Sequence, residues 1–234
     1  MKFRIDRKIF ERFWGLHIGV IIAKGLNNAG MAEPVQTEIR EQEKKIITKY
    51  NIETFFQDSK IGVWRKAYLA FGAKPKENRS SVENLYRLVL QGRNLRHINK
   101  LVDIYNLISL KHMLPVGGED IDKMKGDIVL TFAGAGESPV LLLGDKEPRP
   151  PHEGEVIYKD DISTICRRWN WREADRTKLT EETRNAIVVI EGLSPVTTEE
   201  IETATKELKE LVQKFCGGNV VATVLDENKF EVEF

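Results

Sequence analysis

At Asp127 the spacing of apolar residues changes period, and that change restricts the chain to few architectures. Upstream, apolar side chains recur every three or four residues. Val35, Ile39 and Ile46 follow Pro34 along a polar segment, the pattern of a surface helix with proline in its first turn. Residues 61–71 predict a second helix, with Val63, Ala67, Tyr68 and Phe71 on one side. Ser80 and Glu83 form a capping box ahead of Val82, Leu85, Tyr86 and Val89, and Gly92 stops that helix. From Asn99 to His112 apolar residues occupy most sides, which predicts a buried helix broken by Pro115, Gly117 and Gly118. One strand precedes all of these. Leu16, Ile18, Val20 and Ile22 alternate with His17, Gly19, Ile21 and Ala23, so it is expected to be buried on both faces.

Downstream the period is two. Residues 127–133, 140–143, 155–158, 163–168 and 186–190 predict short strands, and the proline-rich stretch 144–154 an exposed connection. Thr197 and Glu200 open a last helix, whose apolar face runs from Ile201 to Phe215 and ends at Gly217-Gly218. Strands at 220–225 and 230–234 flank a turn, which predicts a helix packed on a hairpin. Helices first and strands second predict an α+β fold or a layered sandwich with a mixed sheet. Neither G-x-G-x-x-G nor G-x-x-x-x-G-K-[ST] occurs, so the common nucleotide loops are excluded.

Charge narrows the function classes. Lys+Arg and Asp+Glu number 36 each, so any RNA contact must use a local patch and not the whole surface. Cys166 and Cys216 lie too far apart for a disulfide framework, and neither has a second Cys or His at zinc-site spacing. No metal or cofactor is expected. The charged start and the short apolar run at 18–23 predict a cytoplasmic chain with no membrane span. Cys166, in an apolar strand, is expected to be a buried structural thiol.

Two clusters carry candidate chemistry. Asp103 and Asn106, three apart on the buried helix with Tyr105 between them, must be hydrogen-bonded. They either tie down neighbouring backbone or line a pocket. Residues 166–177 interleave Arg167, Arg168, Arg172 and Arg176 with Trp169, Trp171 and Asn170, beside the acids Glu173 and Asp175. Guanidinium forks suit phosphate, and indole faces suit a base or an arginine.

The stretch Leu101-Val-Asp-Ile-Tyr-Asn-Leu-Ile-Ser-Leu resembles the V-V-D-V-T-N-Y-V-x-L-E stretch of the B3/B4 domain of the phenylalanyl-tRNA synthetase β chain. Pro115-Val-Gly-Gly-Glu-Asp is similar to that family's P-x-H-A-F-D, and Glu182-Thr-Arg-Asn-Ala-Ile-Val-Val-Ile-Glu191 to its D-E-T-x-N-V-L-L-E. The likeness runs over roughly residues 61–191 and keeps the order of the motifs. The C-R-R-W-N-W-R-E run further resembles freestanding members of the family. Three positions depart from the pattern: Gly117 stands at the family histidine, Tyr105 at its threonine, and the tryptophan–arginine run replaces a glycine-rich loop. The resemblance implies a single three-layer β/β/α sandwich over residues 1–234, with 192–234 completing it. It also implies an editing-type pocket for the aminoacylated 3′ end of tRNA. On that footing Asn106, Gly117 and Gly118 would orient the attacking water. Asp103, Tyr105, Trp169, Asn170, Trp171 and Glu173 would meet the amino acid. Arg167, Arg168, Arg172 and Arg176 would meet phosphates, and Thr183 and Asn185 would be structural. The expected activity is hydrolysis of misacylated tRNA in trans. The rivals are a non-catalytic binder of RNA or an amino-acid-like ligand, and an adaptor for another translation protein.

Overall fold

The computed structural model describes all 234 residues. In chain order the elements are β1 (Lys2–Ile5), α1 (Arg7–Arg12), β2 (His17–Lys24), α2 (Glu33–Lys49), α3 (Ser59–Ala70), α4 (Ser81–Leu90) and α5 (Lys100–His112). Then come β3 (Val116–Asp120), β4 (Ile128–Phe132), β5 (Val156–Lys159), β6 (Thr164–Arg167), β7 (Arg172–Glu173), β8 (Asn185–Gly192), α6 (Thr198–Cys216), β9 (Asn219–Leu225) and β10 (Glu231–Glu233). The fold is α+β with two sheets. One has the order β10-β1-β4-β5-β6-β7 and the other β3-β8-β2-β9. Only β1 and β4 pair in parallel, so the larger sheet is mixed.

The layers follow from burial. All of Ile18–Ala23 is buried, as expected for a central strand covered on both faces. On one face of the smaller sheet lie α5 and α6, with α2 packed outside α5. The larger sheet covers the other face. Helix α6 comes close because β2 carries a glycine opposite it: a Cβ at Gly19 would stand 1.9 Å from Thr205 Oγ1 and 3.4 Å from Ile201 Cγ2. The predicted capping box of α6 is complete. Glu200 N–H donates to Thr197 Oγ1 (3.2 Å), and Thr197 N–H donates to Glu200 Oε2 (2.9 Å).

Four expectations change. The segment after α5 is not a plain break but β3, an edge strand paired antiparallel with β8 from Val116↔Ile190 to Asp120↔Ala186. Residues 140–143 form only isolated bridges, Val140 to Arg149 and Leu142 to Ala174. The S-x-x-E box at Ser80 is half made. Ser80 Oγ accepts from Glu83 N–H, but the Glu83 carboxylate is held by Arg65 at 2.9 and 3.0 Å. The final hairpin does not exist: β9 pairs with β2, whereas β10 crosses to the other sheet and pairs with β1. The crossing is fixed by β1, too short to signal itself in sequence, whose Lys2 ammonium bonds Glu231 (2.8 Å).

Gly19→Ala is expected to push α6 off β2 and to lower the unfolding free energy in urea by about 1–3 kcal/mol. An unchanged midpoint would mean that α6 does not pack as closely as described.

A cavity between the two sheets as candidate functional site

The alternation of β8 builds the floor of the site. Val188 and Ile190 face the helices, so Ile187, Val189 and Glu191 face the larger sheet. Register builds the roof. Leu130, Tyr158, Cys166 and Glu173 are successive partners across β4, β5, β6 and β7, so Tyr158, Cys166 and Glu173 share the face turned toward β8. Between them lies a cavity of about 210 Å³, closed at one edge by Val116–Glu119 of β3 and at another by Trp169–Glu173. Most of its lining is apolar, with Phe3, Ile128, Leu143 and Ile165 among the contributors.

Glycine at 117 keeps the β3 wall open. A Cβ there would stand 3.1 Å from Glu173 Oε1, and a Cβ at Gly118 would stand 3.0 Å from Val188 Cγ2. The turn from β6 to β7 is held in an unusual backbone conformation: Arg168 and Trp169 both have left-handed φ, at 48° and 65°. Non-glycine residues adopt this region only when the surroundings impose it. Here the Trp169 indole is fully buried, edge-on to Trp64 (5.1 Å) and Phe13 (4.8 Å). Its backbone N–H donates to Val156 O (2.7 Å). Asn170 is fixed from three sides: its Oδ1 accepts from Tyr68 Oη (2.8 Å), its Nδ2 donates to Glu191 (2.6 Å), and its carbonyl accepts from Ser81 N–H (3.0 Å).

Three carboxyls face this hollow, and none forms an ion pair with a lysine or arginine of the chain. Glu191 accepts from Tyr158 Oη, Trp169 Nε1 (2.8 Å) and Asn170 Nδ2 (2.6 Å). Burial raises it to about 7 against the pull of those donors. Burial raises Glu173 to about 7 as well, opposed by the Gly118 N–H. Glu119 is held well above the usual carboxylate range, first by burial and then by the charge of Glu173. Its Oε2 is buried with no hydrogen-bond partner, and the Thr177 hydroxyl beside it lacks the geometry of a full bond. The Cys166 thiol is buried and pushed up by burial and by the same acids, which disfavours the thiolate.

The expected site residues divide. Gly117, Gly118, Trp169, Asn170, Trp171, Arg172 and Glu173 line the cavity. Tyr105 does not line it but sits close enough that, after burial, Glu173 and Glu119 raise its phenol further. Asn106 and Asp103 do not line it. Asp103 faces away and ties down backbone, accepting from Ile98 N–H (3.2 Å), Gln36 Nε2 (2.6 Å) and His97 Nδ1 (2.5 Å). The expected convergence of Asn106 and the arginine-rich turn on one hollow is thus not found: Asn106 is absent from the lining, and Asp103, one turn before it on α5, is taken up by α2 and the 93–98 loop.

The arginines also divide. Arg167 gives Nε and Nη2 to Glu155 at 2.9 and 2.7 Å and is buried, so its guanidinium is not presented to a phosphate. Burial works to raise Glu155, but Arg167 outweighs it and holds the carboxyl below its usual range. Arg176 is bound to Asp160 (2.8 Å), Ser163 and the Lys123 carbonyl (2.7 Å). Arg172, which also bonds Asp145 (2.6 Å), lies at 4.5 Å from the Trp171 ring in the cavity wall, and Arg168, with Glu155 at 3.9 Å, lies at 4.3 Å from the same ring but outside the cavity lining. Thr183 and Asn185 clip the turn after β3 through Asp120 (2.7 Å) and Asp122 (2.9 Å).

Comparison with known proteins then places the chain. The family model described as the B3/4 domain matches residues 63–217. The chain belongs to the B3/4 domain family. It is 34% identical over 110 residues to the phenylalanine–tRNA ligase beta subunit of Leifsonia xyli subsp. xyli, covering 47% of this chain and 12% of that one. It is 28% identical over 119 residues to the beta subunit of Fusobacterium nucleatum subsp. nucleatum, covering 51% and 14%. The chain thus matches only a small part of the length of these relatives. An N-terminal fragment of the phenylalanyl-tRNA synthetase beta subunit from Pyrococcus horikoshii is 14% identical, with a TM-score of 0.47 over 96% of this chain and 54% of that fragment. No helix of this B3/4 protein is long and apolar enough to cross a membrane.

Glu119, Glu191 and Tyr158 were not singled out by sequence reasoning. The usable signal for Glu191 is its register: it alternates with Ile187 and Val189 on an otherwise apolar strand, where an acid must find partners.

The acids make stability depend on pH. Unfolded, Glu173 and Glu191 release their protons near 4.5, but folded they keep them to about 7. The folded state binds more protons across that window, so stability is greatest below it and falls as pH rises through it. For Glu191 the gap corresponds to roughly 3 kcal/mol. Urea unfolding is expected to give a lower free energy at pH 7.5 than at pH 5, and Glu191→Gln is expected to shrink that difference. Stability that rises over this interval would contradict the burial described.

Proposed function

We propose that this B3/4 protein hydrolyses, in trans, the ester joining a misattached amino acid to tRNA, with the cavity between the sheets as the amino-acid site. One observation carries the reading: a mainly apolar hollow between the sheets whose polar groups are three carboxyls, the Asn170 amide, the Ser81 and Tyr158 hydroxyls, the Arg172 guanidinium and the backbone of a glycine-bearing edge strand. At about 210 Å³ it is smaller than the roughly 300 Å³ at which pockets for drug-sized ligands begin. A side chain fits, and a nucleotide does not. The amino acid would therefore enter while the terminal adenosine stays on the rim beside Trp171, Arg168 and Arg172. A stacked arginine–tryptophan–arginine layer suits a base and its phosphate.

Ester hydrolysis needs a positioned water and donors for the developing oxyanion. The backbone of Gly117 and Gly118, bare of side chains, supplies approach for both. Glu173 and Asn170 are set to read the amino acid, and the ribose hydroxyl of the tRNA end can share in proton transfer. Asn106 lies outside the cavity lining, which removes it from direct contact. The cytoplasm, where tRNA is charged, is the place this reading requires.

One finding favours a second reading, a binder without catalysis. Glycine stands at 117 where the family pattern has histidine, and Cys166 is held as a thiol.

A panel of mischarged tRNAs separates the two. Release of amino acid that falls about 100-fold in Glu173→Ala, with little change in Asn106→Ala, supports hydrolysis. Arg172→Ala is expected to raise KM and leave kcat nearly unchanged, because it meets only the tRNA end. Binding of charged tRNA without release supports the binder. Absence of both binding and release overturns the proposal.

A further inference from the structure

The cavity holds more acid than it can neutralise. Glu119 and Glu173 repel each other across it, Glu119 Oε2 has no hydrogen-bond partner, and neither group forms an ion pair; Arg176 acts on Glu119 only through its charge from outside hydrogen-bond reach. The nearby cations point away from the two acids: Arg176 bonds Asp160 and keeps a buried Nε without a partner, Arg172 bonds Asp145 (2.6 Å) and lies over Trp171, and Arg168 lies over Trp171 near Glu155. Elsewhere in this protein buried acids are matched. Glu83 has Arg65, Glu155 has Arg167 and Glu43 has Arg40. Asp103, outside the cavity, has three donors instead, Gln36, His97 and the Ile98 N–H, whereas Glu119 in the cavity has an oxygen with no donor at all. A buried carboxylate without a counter-charge is costly, and a ligand that brings one relieves the cost.

Taking the hydrolase reading as its footing, we propose that the cavity selects amino acids with a positively charged side chain, an apolar stem ending in an ammonium or guanidinium seated between Glu119 and Glu173. The alternative source of charge is the α-ammonium present in every aminoacyl ester. Geometry favours the side chain. The ester is tethered to a nucleotide too large for the cavity, so the α-ammonium stays near the mouth, whereas Glu119 is only 7% exposed. The apolar walls from Ile128, Ile187 and Val189 suit the methylene stem. A phenol or aliphatic side chain would leave two like-charged carboxyls facing each other, or hold them protonated.

The test has two arms. In the first, the intact protein is titrated calorimetrically with n-butylammonium and n-butylguanidinium, and with 1-pentanol and 4-methylphenol as neutral counterparts. The cations are expected to bind at least 10-fold more tightly. Glu119→Gln with Glu173→Gln, checked for native circular dichroism, is expected to abolish that preference. Equal or tighter binding of the neutral compounds to the native protein overturns the inference. In the second arm, one tRNA is charged by ribozyme with lysine, Nα-acetyl-lysine or norleucine. Lysyl and Nα-acetyl-lysyl esters are expected to be cleaved at similar rates, at least 10-fold faster than the norleucyl ester. Equal cleavage of lysyl and norleucyl esters sinks the side-chain preference but leaves the hydrolase standing. Loss of activity on Nα-acetylation alone assigns the acids to the α-ammonium and likewise overturns the inference. Binding of butylammonium with no cleavage of any ester supports the cation site and removes the hydrolase.

Discussion

Everything at the candidate site depends on one buried carboxyl. Glu191 extends from the smaller sheet into the space beneath the larger one and gathers the hydroxyl of Tyr158, the indole N–H of Trp169 and the amide of Asn170. Those three residues belong to β5 and to the turn between β6 and β7, so a single side chain joins the two sheets and orients the wall between them. The left-handed backbone at Arg168 and Trp169 persists because the indole is locked on both sides: by Trp64 and Phe13 through packing, and by Glu191 through its N–H. With the turn fixed in this way, Glu173 is delivered to the cavity on the next strand and Trp171 to its rim.

That arrangement explains why the site can be acidic without being disordered. The smaller sheet is backed by α5 and α6 and cannot yield easily. Gly117 removes the one Cβ that would press on Glu173, so the edge strand β3 can approach the acids without covering them. The like charges are kept apart from the ion pairs that steady the rest of the turn, notably Arg167 with Glu155. The protein thus separates two kinds of buried acid. Some are neutralised within the fold and contribute rigidity. The others, Glu119, Glu173 and Glu191, face the cavity and form no ion pair.

How much of this was legible in the sequence follows from where the periodic signals are long. Helices α2 to α6 and strands β2 and β8 carry many turns or alternations, and their reading holds within a few residues. The pairing of β10 with β1, and the strand β3 among Pro115, Gly117 and Gly118, have no such signal, because they are set by partners more than a hundred or some seventy residues away. The same holds at the site. The dense arginine–tryptophan run marked the turn, but not which arginine would be buried: Arg167 lies on the face of β6 opposite Cys166, where Glu155 takes up its guanidinium. Asn106 was placed by family motif, and only the folded chain reveals that it does not line the hollow. Glu119 and Glu191 were hidden because an acid at the end of an apolar strand reads as a surface residue until the second sheet is known to cover it.

The central claim is that these carboxyls sit together in a mainly apolar hollow and form no ion pair. It is tested most directly by 13C NMR titration of the glutamate side-chain carboxyls in labelled protein, with Glu119→Gln, Glu173→Gln and Glu191→Gln assigning the signals. The account predicts three signals that titrate far above the ordinary carboxylate value, with removal of Glu173 lowering that of Glu119. Three signals that titrate near 4.5, each indifferent to the loss of the others, would contradict it.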